Sequence, residues 1–176
     1  MLFVPAVVLG VLAVVGYIYQ KRTGKPFIAY DNGKPELWKM QPDDDIQDVV
    51  TLDELEGLWS MVSVGRNGKF APPDVIQQSA IAIAIVADTL TVTNTLKLST
   101  VKINSDVIPN ELDQTSEDGD VHLCIVRIRN GMLEICQAEA GKQRPKDFSH
   151  QGIDGASLTL FQKTMSASEM DADAAV

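Results

Sequence analysis

The first twenty residues, Met1 to Gln20, carry no charged side chain, and Lys21, Arg22 and Lys25 follow at once. At ~1.5 Å of helical rise per residue, about twenty residues span the ~30 Å hydrocarbon core of a bilayer. Only a helix satisfies its own backbone hydrogen bonds there. Pro5 falls near the first turn, where a missing N–H costs little, and Tyr17 and Tyr19 stand where interfacial aromatics are expected. The competing reading is a cleaved secretion signal. It needs a basic start and a small-x-small cleavage site, and neither Met1–Leu2 nor VVGYIYQ (14–20) offers one. Residues 1–20 are therefore expected to be an uncleaved transmembrane helix. The positive-inside rule puts Lys21 and Arg22, and whatever follows them, on the cytoplasmic side, the periplasmic side being the alternative. Ala6, Gly10 and Ala13 share one stripe of that helix, a candidate helix-packing surface, since small residues let helices approach closely in lipid.

Residues 21–50 read as an extended linker. They hold Gly24, Pro26, Gly33, Pro35 and Pro42, the run Asp43–Asp45, and no sustained period. Phe27, Tyr30, Leu37 and Trp38 are apolar for such a segment, and Phe27, Tyr30 and Trp38 are candidate docking residues for a partner. Residues 166–176, SASEMDADAAV, are small and acidic, and a disordered tail is expected. The whole chain of 176 residues has a formal net charge of −9. That acidity, with no basic patch after the linker, speaks against nucleic-acid binding.

Between these ends, residues 51–165 carry the pattern of an all-β domain. Thr51-x-x-Glu54 is a capping box ahead of a short helix that Gly57 can end. Short runs rich in Val, Ile and Thr follow: 58–64, 80–86, 89–95, 97–104, a weaker segment at 110–115, then 121–129, 132–138 and 156–163. No long amphipathic helix separates them, which excludes parallel βαβ folds and leaves an antiparallel meander of about eight strands, as a barrel or a sandwich. In AIAIAIV (80–86) the isoleucines and alanines take opposite faces.

Asn130–Gly131 is a strong two-residue hairpin turn. It pairs Arg129 with Met132, Ile128 with Leu133, Arg127 with Glu134 and Val126 with Ile135. The apolar residues then share one face, and Arg127 meets Glu134 on the other. The same register sets Cys124 opposite Gln137 and Cys136 opposite Ile125, so the thiols point to opposite faces and a disulfide is disfavoured. A three-residue loop with a bulge would bring them face to face but would break the charge pair.

Gly57-Leu58-Trp59 resembles the Gly-x-Trp start of lipocalin-like barrels. LEGLWSMVSVGRNGK (55–69), LEICQAEAGKQRPKDF (133–148) and LTLFQK (158–163) resemble the opening, closing and last-strand motifs of a family of uncharacterised bacterial lipocalin-like domains. The resemblance implies a small eight-stranded antiparallel barrel with no established activity. It marks Gly57, Trp59, Arg144, Pro145 and Phe148 as motif positions. Their implied roles are structural: Trp59 fills the barrel end, Arg144 hydrogen-bonds backbone carbonyls where the barrel closes, and Pro145 stiffens that corner. The chain departs from the family at its N-terminus, where an anchor replaces a secretion signal, and over the long acidic stretch Asp106–Asp120.

No catalytic or metal constellation emerges. His122 and His150 lie outside ligand spacing of each other and of a cysteine. Ser149–His150 lacks a nucleophile elbow, Cys124 and Cys136 lack an activating cation pattern, and Asp43–Asp45 lacks the rest of a calcium loop. No cofactor is implied. The expected function is that of a membrane-anchored, non-catalytic interaction module, an accessory or scaffold subunit partnered with the bilayer and with other membrane proteins. The alternative is a carrier of a small apolar ligand or lipid in the barrel mouth. Ile81, Ile83 and Ile85 discriminate: pointing inward they fill the barrel, whereas inward alanines would leave room.

Overall fold

The computed structural model describes residues 45–66, 69–148 and 156–174. The expected transmembrane helix with Ala6, Gly10 and Ala13, the docking candidates Phe27, Tyr30 and Trp38, and Ser149–His150 lie outside the described residues. Among the described residues no helix is long and apolar enough to cross a membrane.

The elements run β1 (Ile46–Gln47), α1 (Leu52–Leu55), β2 (Gly57–Arg66), β3 (Lys69–Phe70), α2 (Pro73–Ser79), β4 (Ala82–Val86), β5 (Thr89–Val92), β6 (Lys97–Asn104), β7 (Asn110–Ser116), β8 (Val121–Arg129), β9 (Met132–Gln137), β10 (Ser157–Met165) and α3 (Ala167–Ala174). Each strand from β4 to β10 pairs antiparallel with the next, and β10 returns to β2, which pairs with β4. Eight strands thus close an up-and-down barrel. Closure removes the bare sheet edges that would otherwise invite pairing with other chains. Asn110–Ser116, the weakest strand in the sequence, bonds both neighbours along its length as β7.

The β8–β9 register is the one the turn dictates. Arg129, Ile128, Arg127 and Val126 face Met132, Leu133, Glu134 and Ile135, and Cys124 faces Gln137 while Cys136 faces Ile125. Asn130 and Gly131 have φ of 52° and 72°, both in the left-handed region that a tight hairpin needs at its two central positions.

Ile83 and Ile85 are buried in the barrel core and Ile81 packs against it. The core also holds Trp59, Met61, Leu90, Val101, Leu112, Cys124, Val126, Leu133, Ile135 and Phe161. Ala82 and Ala84 pack on the outside with Leu58 and Met170. The small residues are therefore on the outer face, where α3 approaches the sheet, and the large ones fill the interior.

Strands of alternating direction place successive connections at alternate ends. At one end, called the entry end, lie Gly57, the Ala87–Asp88 turn, the 105–109 loop and the Asn130–Gly131 turn. Val50, Leu55 and Trp59 close this end. Gly57 has φ +127°, and a Cβ there would stand 2.4 Å from the Met165 carbonyl oxygen, so the close approach of β10 admits only glycine. In α1 the Glu54 carboxylate accepts from the Thr51 N–H at 2.8 Å and its hydroxyl at 2.9 Å, and the backbone N–H bond lowers the pKa of Glu54.

Three features are unexpected. Residues 45–50, expected within the linker, belong to the domain: β1 pairs with β8, and Val50 is fully buried. α2, in a stretch that the strand pattern leaves unassigned, starts at Pro73 with Asp74 in its first turn and buries Ile76 in the core, a start that proline at the first helical positions favours. The tail, expected as disordered, opens with α3. There Ser166 and Glu169 form a capping box: the Ser166 N–H and hydroxyl donate to the carboxylate at 2.7 and 2.8 Å, and the Glu169 N–H reaches the hydroxyl at 3.4 Å. Met170 supplies the buried anchor.

Candidate functional site

The outer face of β8 and β9 carries what the barrel interior does not. On a strand, residues two apart share a face, so Arg127 and Arg129 both stand beside Glu134, one directly opposite and one diagonally. Arg127 Nε donates to Glu134 Oε2 at 2.7 Å and Arg129 Nε to Oε1 at 2.6 Å. Each guanidinium adds a second contact through Nη2, to the same oxygens. Glu134 is 0% exposed and Arg129 1%. One buried carboxylate thus holds two guanidiniums.

Beside this triad is an open cleft of about 530 Å³ between β1, the start of β7 and the 146–148 segment. Its apolar walls are Ile46, Ile108, Pro109 and Phe148, and its charged lining is balanced, with Arg127 and Lys146 beside Asp48 and Asp147. The Phe148 ring lies 4.0 Å from the Arg127 guanidinium carbon, a cation–π arrangement that fixes the arginine's face while Glu134 fixes its edge. Asn110, almost wholly buried, ties the cleft's two sides. Its amide donates to the Asp48 carbonyl at 2.9 Å, and its carbonyl accepts from the Val50 N–H at 3.3 Å. Asp45 is fastened at the same place: its carbonyl accepts from the Asn130 N–H at 2.8 Å, and its N–H donates to Asn130 Oδ1 at 2.9 Å.

The motif residues fall in three places. Gly57 and Trp59 are at the entry end, and the Trp59 indole donates to the Leu55 carbonyl at 2.7 Å. Arg144 lies against β7 and β8. It donates to the Cys124 carbonyl at 2.6 Å, the Leu112 carbonyl at 3.3 Å and the Asp113 carboxylate, with Glu111 at 3.3 Å. Pro145 next to it is buried. Phe148 joins the cleft, a position distinct from Arg144. The second arginine of the triad and the cleft itself were missed in the sequence. Arg129 was legible as the diagonal neighbour of Glu134, but four separate chain segments build the cleft and no local signal joins them.

The thiols are buried on opposite faces and free. Burial pushes both Cys124 and Cys136 up to about 12 from an ordinary 9.0. At pH 8 the folded chain is expected to resist iodoacetamide, and denaturant is expected to expose both cysteines to it; rapid labelling of the folded protein would contradict this burial. Between about pH 9 and 12 the unfolded chain releases protons that the folded barrel keeps. Stability conferred by the neutral thiols is then fully present below pH 9 and declines as pH rises, by at most ~1.4 kcal/mol per pH unit for each thiol. A denaturation series across that range tests the sign.

His122 Nδ1 lies 3.2 Å from the Ala138 carbonyl. Among the described residues no three His, Cys, Asp or Glu side chains group to hold a metal ion. Comparison of the chain with protein-family models, with curated proteins and with solved structures finds no match.

Proposed function

We propose that the chain is a membrane-anchored, non-catalytic interaction module: an accessory or scaffold subunit of a larger membrane assembly, tethered by residues 1–20, with its barrel on the cytoplasmic side. The observation that carries this reading is the packed interior. Ile83, Ile85, Trp59, Met61 and Phe161 occupy the space in which an eight-stranded barrel would otherwise hold a small ligand. What the domain offers to other molecules is then its outside. The lipocalin-like relationship belongs to the same proposal. Its support is the placement of Gly57 and Trp59 at the strand that opens the barrel and of Arg144 against the carbonyls of two adjacent strands.

Extraction in mild detergent followed by native sizing tests the proposal. The expected result is co-migration with larger membrane proteins. A second reading, a carrier of a small apolar ligand, now draws on the outer cleft, whose volume lies in the range of ligand sites. A lone monomer that retains a lipid through sizing would favour the carrier and overturn the scaffold.

A further inference from the structure

We infer that the cleft beside Arg127 is filled in cis by the indole of Trp38, from the segment just ahead of the domain. The inference does not depend on the anchor proposed above. The cleft is open, holds about 530 Å³ and has Ile46, Ile108, Pro109 and Phe148 as apolar walls. Ile108 on its rim is 72% exposed, the most of any large apolar side chain among the described residues. Because the charges of the lining balance, the cleft suits an uncharged apolar group better than an ion. An aromatic side chain fits that chemistry, burying ~150–250 Å² with few rotatable bonds. The Lys146 ammonium in the lining favours a ring over an aliphatic chain, and indole is the ring a cation prefers.

Where the chain enters the domain selects the ring. Asp45 is fastened to Asn130 through both its N–H and its carbonyl, and the next residue, Ile46, is itself a wall of the cleft. β1 runs antiparallel to β8, so from Asp45 the cleft lies behind the direction of arrival, and the entering chain needs a reversal to reach it. Pro42–Asp43 is a turn-forming pair, proline presetting φ and aspartate bonding to nearby backbone. Trp38 stands seven residues before Asp45, within ~25 Å even if the chain is fully extended. Phe27 and Tyr30 stand fifteen or more residues before it. Effective concentration falls with tether length once the span is covered, so Trp38 is favoured over both. A tether this short holds the ring at roughly millimolar effective concentration, enough to occupy a site too weak for a free ligand.

The test uses the full chain in a mild detergent. The chain has two tryptophans, and Trp59 is 1% exposed in the core, so the difference in emission between the parent and Trp38→Phe reports Trp38. Its emission is expected to be blue-shifted and poorly quenched by acrylamide. Ile108→Glu alters a largely exposed side chain and is expected to red-shift that emission and raise its quenching several-fold. Val121→Glu, at the far end of β8, is expected to leave both unchanged. A solvent-exposed Trp38 in the parent overturns the inference. So does a shielded Trp38 that ignores Ile108→Glu, since the detergent rather than the cleft then shields it. Cross-linking gives an independent measure, because Cys124 and Cys136 are buried. The K39C/I108C chain is expected to form a disulfide on mild oxidation, and adding Trp38→Ala is expected to slow it several-fold. Equal rates with and without the indole overturn the inference, and the anchor stands in either case.

Discussion

Glu134→Ala is expected to lower the barrel's unfolding free energy by about 3–5 kcal/mol, the range for removing one partner of a buried ion pair. The carboxylate is fully buried and binds two guanidiniums through separate oxygens, and Arg129 is as inaccessible as the carboxylate. Without it, both guanidiniums lose the carboxylate they share in a desolvated site. A domain of this size has a total stability of roughly 5–15 kcal/mol, so the variant is expected to be partly unfolded on mild warming. Urea titration followed by far-UV circular dichroism measures the change as a shift in midpoint.

Two companion variants separate the charge from the packing. Glu134→Gln keeps the shape and one acceptor oxygen but loses the charge, and should lie between parent and alanine variant. Replacing Arg127, Arg129 and Glu134 together by apolar residues of similar volume is expected to restore most of the stability, since desolvation of a buried ionic group offsets much of its attraction. An alanine variant within about 1 kcal/mol of the parent would mean that water reaches both arginines once the carboxylate is gone.

Much of this arrangement was legible in the sequence, and the reason differs by element. Asn130–Gly131 specifies a turn in which both residues take positive φ, and a two-residue turn leaves one register, so every pair from Arg129–Met132 to Cys124–Gln137 follows. The Ile/Ala alternation over 80–86 separates two faces but cannot say which is inside; volume decides, because the interior must be filled while α3 with Met170 needs a flat place to dock. α2 escaped because seven residues with one buried anchor, Ile76, give no helical period to read. The depth of the Arg127–Glu134 pair was not legible either. Opposite charges across a hairpin usually face solvent. Here Phe148, remote from both in sequence, stacks on the Arg127 guanidinium. The cleft shares that origin: Ile46, Ile108, Arg127 and Phe148 meet only once the barrel has closed.

Trp59→Ala is expected to cost about 3–5 kcal/mol, as for other buried tryptophans cut back to alanine. The ring is 1% exposed within the core and closes the entry end with Val50 and Leu55. The indole also makes a polar contact that its neighbours do not. Its N–H donates to the Leu55 carbonyl at 2.7 Å, satisfying one of the acceptors that a helix leaves open at its C-terminus. Lys163 acts beside it, with Nζ 3.1 Å from the Glu54 carbonyl and 4.8 Å from the ring centroid. Trp59 thus joins α1 to the barrel by packing and by hydrogen bonding, and Trp59→Phe tells the two apart. It keeps an aromatic ring and loses the N–H, so it should cost about 0.5–1.5 kcal/mol for the bond plus a smaller share for the lost volume. Hydrogen exchange supplies a local readout. In the alanine variant the amides of Leu55 and Glu56, bonded to the Thr51 and Leu52 carbonyls, should exchange faster than amides in β6 and β7, because α1 loses its seat while the far strands keep theirs. Were the phenylalanine variant as unstable as the alanine one, the hydrogen bond rather than the filled volume would be what closes the barrel. Were α1 no faster in exchange than the strands, Trp59 would be an ordinary core residue with no part in holding the chain's entry in place.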